Sequence, residues 1–313
     1  MTTLLLSHPD VLLHDMGVGH PERPDRIRAV MRRLDDEVFS ELIRMEAPEA
    51  TREAILRAHP EVYLDALLAA RPDPGEFARL DADTVMNDGT WKAVVRAAGG
   101  ATAAVDHVVS RQFANAFVAT RPPGHHAERV KAMGFCFVNN AVIAARHAQV
   151  VHGLERVAII DFDVHHGNGT QDILWDDPSV LYCSTHQMPL YPGTGEIGER
   201  GTHDTIVNAP LPSRADGEMF REAIEERIVP RVEAFSPDLV ILSAGFDAHR
   251  RDPLASLALV EADFAWVTRR FLDLAERRSE GRLVSLLEGG YDLEALAGSA
   301  AAHVTELMGG PKP

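Results

Sequence analysis

The chain has 313 residues, 45% hydrophobic and 25% charged, enough for one large α/β domain or two smaller ones with an ordinary core. Its 31 Lys+Arg against 47 Asp+Glu give a formal charge of −16, which argues against a phosphate-backbone partner, since that needs a basic patch. The only cysteines, Cys136 and Cys183, lie in apolar stretches and make no disulfide framework, and no run of about 18 apolar residues is present to span a membrane.

In chain order, the opening MTTLLLSHPDVLLHD lacks a basic n-region, so it is not read as a signal peptide and a cytoplasmic protein is expected. Residues 4–7 read as a buried strand, and 24–34 as a helix with Pro24 in its first turn. A long loop is expected over 71–88 and a helix over 91–109. Then come a strand at 116–120, a helix at 140–152, strands at 156–161 and 180–184, and a second long loop at 187–208. The remainder predicts a helix at 216–235, a strand at 239–243, a helix at 261–278, a strand at 283–287 and a helix at 293–308. The strands are rich in Val, Ile and Leu without strict alternation, the pattern of strands buried on both faces. Strands alternating with helices imply crossover units and a parallel sheet. No linker, repeat or low-complexity tract divides the chain, so residues 1–313 are expected to form one α/β domain.

Ligands in such sheets gather at the carboxyl ends of the strands, where the chemically loaded residues of this chain also fall. After the strand at 116–120 comes Arg121-Pro-Pro-Gly-His125-His126, two imidazoles able to carry protons near neutral pH, or a polar turn with incidental histidines. After 156–161 comes Asp161-Phe-Asp163-Val-His165-His-Gly-Asn168. Period-two alternation would aim Asp161, Asp163 and His165 to one side. Two carboxylates and an imidazole together call for a cation, the alternative being carboxylates that cap the next helix. Gly245-Phe-Asp247 follows the next strand, and Asp247 would complete a three-ligand set with the open position of a catalytic metal. Glu288-Gly-Gly-Tyr291 brings a phenol to the same rim, or is a tight turn with a packed tyrosine.

These segments, with Gly19-His-Pro-Glu-Arg-Pro24, Gly134-Phe-Cys-Phe-Val-Asn-Asn140 and Tyr191-Pro-Gly-Thr-Gly195, resemble the histone deacetylase family in order and spacing over nearly the whole chain. The resemblance implies the arginase–deacetylase fold, a single α/β domain with about eight parallel strands and helices on both faces. It implies Asp163, His165 and Asp247 as zinc ligands, in a shell that would also accept Fe²⁺ or Co²⁺. It pairs His125 with Asp161 and His126 with Asn168. Class I members carry Asp at that last position, and Asn168 is the habit of class II and bacterial amidohydrolase-like members. Tyr291 matches the oxyanion tyrosine, and Gly134, Phe135 and Tyr191 match the walls of the acyl-lysine tunnel. Asp161 and Ser184, with the carbonyls of Asp163, His165 and Thr185, match a structural potassium site.

The implied activity is removal of acetyl groups from acetylated lysine side chains by metal-activated water, acting on a peptide or a small acylated amine, with no nucleic-acid or membrane partner. An acetylpolyamine amidohydrolase is the alternative. Leu254 stands where the polyamine-selective eukaryotic branch carries Glu, and Asp83 is a candidate for gripping peptide N–H groups at the rim. A binuclear ureohydrolase would need a carboxylate where Gly167 stands. A non-catalytic acetyl binder would be expected to lack a ligand, a tandem histidine or the tyrosine, and all are present.

Overall fold

The computed structural model describes residues 2–310. Its strands are β1 (Thr3–Ser7), β2 (Ile43–Glu46), β3 (Phe77–Arg79), β4 (Val85–Asn87), β5 (Asn115–Val118), β6 (Val157–Asp161), β7 (Val180–Gln187), β8 (Ile206–Leu211), β9 (Leu239–Ala244) and β10 (Leu283–Leu287). The helices are α1 (Asp25–Leu34), α2 (Arg52–Leu56), α3 (Glu61–Ala69), α4 (Thr90–Val109), α5 (Asn140–His152), α6 (Asn168–Leu174), α7 (Gly217–Ala223), α8 (Val229–Phe235), α9 (Glu261–Arg278) and α10 (Leu293–Leu307). Eight strands form one sheet in the order β2-β1-β5-β10-β9-β6-β7-β8, every pair parallel. No helix of the described residues is long and apolar enough to cross a membrane.

The uninterrupted apolar runs have a direct cause. Along β9, Val240, Leu242 and Ala244 face a core with α1, α9 and α10, while Leu239 and Ile241 face a second core with α4 and α5. With both faces covered, a polar residue has nowhere to point, and the period-two signal disappears.

The sequence pattern predicts neither edge strand, and each omission has a reason. β2 is exposed along its length and alternates apolar with charged residues over only four positions. β8 lies in what reads as the end of a loop and contains Pro210, which cannot donate to a ladder and is tolerated at a sheet edge. The expected loop at 71–88 holds the short antiparallel pair β3–β4. The expected helix at 216–235 is broken: Asp216 caps α7 by accepting from the Glu218 and Met219 N–H groups, then a π-turn spans Ile224–Ile228 before α8. Pro230, in the first turn of α8, has no N–H to return to the preceding turn, which accounts for the widened turn.

The chain makes one reversal that matters. From β1 it goes out to β2 and back to β5, then skips to β6, and only later inserts β9 and β10 between them. The carboxyl ends of β5, β10, β9 and β6 therefore meet around one crevice, the switch point where ligands gather in such sheets. Because Leu242 is fully buried at the centre of this sheet, Leu242→Ala should lower unfolding stability by about 2–5 kcal/mol. Urea denaturation with an unchanged slope is the check.

Candidate functional site

Every strand end at the switch point delivers charge. Beyond β6 the backbone does not continue as a strand, so simple alternation is not what gathers the ligands. Instead Asp161 Oδ1 accepts the Asp163 N–H (3.1 Å) and Asp163 Oδ1 accepts the His165 N–H (2.9 Å). Each carboxylate folds the next two residues around itself, the local competition that Asp wages against regular structure. Asp247, beyond β9, accepts the Val164 N–H (2.9 Å), and Asp163 Oδ2 accepts the Gly289 N–H (2.8 Å).

His165 Nδ1 lies 3.1 Å from Asp163 Oδ1 and 3.1 Å from Asp247 Oδ2, and one ligand atom from each of the three falls within 4.8 Å of the others. Burial opposes charge on His165, yet hydrogen bonding to both carboxylates pushes its pKa up to about 10. Burial and the Asp163 carboxylate also raise Asp247. A proton shared among three buried groups is what such a cluster must hold when no cation neutralises it. The donor set, two carboxylate oxygens and one imidazole nitrogen, fits a divalent first-row metal with an open position.

The tandem histidines lie against this cluster with ring centroids 4.0 Å apart. His125 Nδ1 donates to Asp161 Oδ2 (3.0 Å), an oxygen that also accepts the Tyr182 hydroxyl (3.0 Å). His126 Nδ1 pairs with Asn168 Oδ1 (2.8 Å), and the Asn168 amide donates to Glu128 (2.7 Å). Their electrostatics diverge. Burial disfavours the His125 cation, but Asp163 and Asp161 outweigh it and lift its pKa well above the ordinary imidazole value. Burial, joined by the positive charge at His125 and His165, holds His126 well below that value. The two imidazoles are thus pushed in opposite directions, His125 toward its cation and His126 toward its neutral form. Such divergence between adjacent titratable groups separates roles in acid–base sites.

Glu288 ties the turn to the sheet. Its carboxylate accepts the N–H groups of Gly124 (2.6 Å) and His125 (3.2 Å) and the Ser243 hydroxyl (2.8 Å). Tyr291 is held from two sides. Asp252 accepts its N–H (2.7 Å), and the buried Arg26 guanidinium donates to the carbonyls of Glu288 and Gly290 and stacks 4.8 Å over its ring. Arg26 and Arg121 share buried Glu22. Sequence reasoning gave no role to Tyr182, Arg26, Asp252, Glu128 or Glu288. Glu288 does leave a signal in the sequence, since it opens Glu288-Gly-Gly-Tyr291.

The residues expected at the substrate end are brought together in one cavity. Asp83, Gly134, Phe135, Tyr191 and Leu254 line a cavity of about 180 Å³ together with His126, His165 and Tyr291. Asp83 already accepts the Gly134 N–H (3.2 Å) of its own chain, so one of its oxygens shapes the wall rather than waiting for a peptide. Asp161 and Ser184 pair in register across β6 and β7, both buried. The Ser184 hydroxyl also contacts His186 Nδ1 (2.9 Å).

Comparison with known proteins bears on the domain as a whole. A family model described as histone deacetylase domain matches residues 20–307. The chain belongs to the histone deacetylase family. It is 40% identical over 300 residues to a "Probable deacetylase" of Archaeoglobus fulgidus, covering 94% of this chain and 82% of that one. It is 37% identical over 298 residues to the "Histone deacetylase-like amidohydrolase" of Pseudomonas aeruginosa, covering 94% and 78%. The solved HDA15 HD domain superposes with a TM-score of 0.93 at 35% identity, over 100% of this chain and 89% of that one. Membership carries deacetylase and amidohydrolase chemistry in general, and the matched span holds every group described above.

Gly134 is fixed by two constraints, a φ of +56° and a neighbour: a Cβ there would meet His126 Cδ2 at 2.4 Å. Gly134→Ala should therefore displace the His126 ring and cut turnover by on the order of a hundredfold, the cost of a misplacement of about 1 Å. A deacetylase assay beside a melting curve checks this, normal turnover being the contrary result.

Proposed function

We propose that this protein is a mononuclear zinc hydrolase that removes acetyl groups from lysine side chains. The observation that carries the reading is the buried tandem pair His125–His126 set against the Asp163–His165–Asp247 cluster, with Tyr291 across the same cavity and His126 held toward its neutral form. These three residues would hold the metal, with Zn²⁺ as the first choice and Fe²⁺ or Co²⁺ as acceptable occupants of an oxygen-rich shell. When bound, the ion supplies Lewis-acid polarisation of an acyl carbonyl and lowers the pKa of water.

The chain's own groups supply the rest. His126 Nε2, unprotonated because Nδ1 donates to Asn168, accepts the proton of the attacking water and returns one to the leaving amine. His125, pushed toward its cation by Asp163 and Asp161, would hold positive charge beside the reacting atoms. The Tyr291 hydroxyl donates to the oxygen that becomes negative as water adds, a contact worth roughly 3–4 kcal/mol in comparable sites. Phe135 and Tyr191 exclude water from the acyl chain. Asp161 and Ser184 offer buried oxygens for a structural K⁺.

A single-metal site is supported at Gly167, where a second metal would need a carboxylate. A Cβ there would fall 2.3 Å from Asp161 Oδ2 and 2.4 Å from the Tyr182 hydroxyl. Elemental analysis should find one transition metal per chain, lost in Asp163→Ala and Asp247→Ala. Two tightly held ions would contradict the assignment.

Tyr291→Phe should lower turnover by about a hundredfold or more with metal content unchanged. His126→Ala should cost at least as much. Near-normal turnover in Tyr291→Phe would refute the role given to the phenol.

The reading of the substrate rests on Leu254, which presents an apolar edge to the cavity mouth where a carboxylate would attract a distal ammonium. An acetylated lysine peptide should accordingly surpass N-acetylputrescine in kcat/KM. A tenfold or greater preference for the polyamine would reject this choice while leaving the deacetylase reading intact.

A further inference from the structure

An asparagine beside a proton-carrying imidazole leaves open a choice that aspartate does not. Its amide presents an acceptor on one edge and donors on the other, and it can turn either edge to the ring. With Oδ1 toward His126, Nδ1 must carry the hydrogen and Nε2 keeps its lone pair for water. With Nδ2 toward His126, the hydrogen must sit on Nε2, and no base faces the cavity. Something outside the pair has to select the first arrangement.

The selection is visible. Asn168 is buried, and its Nδ2 donates to Glu128 Oε1 at 2.7 Å and lies 3.4 Å from Met133 Sδ, while Oδ1 meets His126 Nδ1 at 2.8 Å. An ionised carboxylate only accepts hydrogen bonds. Turning the amide over would set its oxygen against the Glu128 carboxylate and break the charge-assisted bond, which is among the stronger kinds. Glu128 is in turn held by its backbone, with its N–H bonded to the Lys131 carbonyl (3.0 Å) in a short turn. It lies two residues beyond His126 in the chain, so the segment that carries the imidazole also carries the group that sets its tautomer.

We propose that Glu128 is a positioning residue for His126. It orients the Asn168 amide, fixes the proton of the imidazole on Nδ1, and places one negative charge at the far end of a His126–Asn168–Glu128 chain, where an amide alone supplies none. Glu128 touches no reacting atom. This rests on the reading of His126 as the proton carrier.

The test uses the metal-loaded enzyme and four variants. Glu128→Gln keeps the side-chain shape but lets the Asn168 amide face either way, so kcat should fall by about tenfold, a fraction of what a positioned base contributes, with little change in KM or metal content. Asn168→Asp should also lose turnover, because two carboxylates then face each other across a hydrogen-bond distance. The double variant should regain most of that loss. In it, the amide introduced at position 128 can donate to the carboxylate introduced at position 168, which still accepts from His126. Glu128→Gln is thus expected to harm the enzyme that keeps Asn168 and to help the one that carries Asn168→Asp. A purely structural Glu128 would lower the melting temperature and act in the same direction in both backgrounds. That result, or no effect of Glu128→Gln on kcat, overturns the proposal. His126→Ala separates the two readings: if it retains turnover, the proton-carrier role fails, whereas if it loses turnover and the other two substitutions are additive, only the role of Glu128 fails.

Discussion

Four fully buried carboxylates, Asp161, Asp163, Asp247 and Glu288, stand at the carboxyl ends of the three adjacent strands β6, β9 and β10. Negative charge packed this tightly away from water is untenable without compensation, and the arrangement of the crevice follows from how it is compensated. Backbone N–H groups are committed to it first: those of Asp163, Val164, His165, Gly289, Gly124 and His125 all point at one of these carboxylates. Two imidazoles follow, His125 and His165, both pushed toward their charged forms. A divalent cation among Asp163, His165 and Asp247 would release the proton held there. The same shortage of space explains the glycines: a Cβ at Gly289 would fall 2.2 Å from Asp247 Oδ2.

Within that field the tandem histidines receive different partners and therefore different charges. His125 has a carboxylate that is itself anchored by Tyr182, and Asp163 and Asp161 together push the imidazole toward its cation. His126 has an amide, and the positive charge next door weighs against a second cation. In the proposed reaction this divergence suits both needs, since the proton of an attacking water requires an empty nitrogen while developing negative charge is stabilised by a nearby cation.

The tyrosine side of the crevice depends on a part of the chain remote from it. Arg26, on the first helix, reaches the Gly-Gly turn 264 positions later. Its guanidinium is buried with Arg121, and both lean on Glu22. Arg rather than Lys suits this place, since the planar fork bonds two carbonyls and stacks on the Tyr291 ring together.

The parallel α/β class and the six central strands were legible in the chain alone, because burial on both faces writes continuous apolar runs, and the stretches between them left room for the long helices. The chain also presented the chemistry, since Asp163, His165 and Asp247, the tandem histidines and Tyr291 each follow a strand end, and the position of a strand end in the chain is a local property. The edge strands β2 and β8 left no such mark: β2 is exposed along its length, and the buried apolar residues of β8 are interrupted by Asn208 and Pro210 at the end of a long loop. Which partner each group meets was settled by the folded chain. The strand alternation expected to gather Asp161, Asp163 and His165 gives way to turns built by the carboxylates themselves. The contacts of Glu288 with Gly124 and of Arg26 with Gly290 cross between elements brought together when β10 is inserted beside β5, and Tyr182 reaches Asp161 across the neighbouring β6–β7 pair. Hydrogen bonds of this kind depend on distances in space that no spacing in the chain encodes.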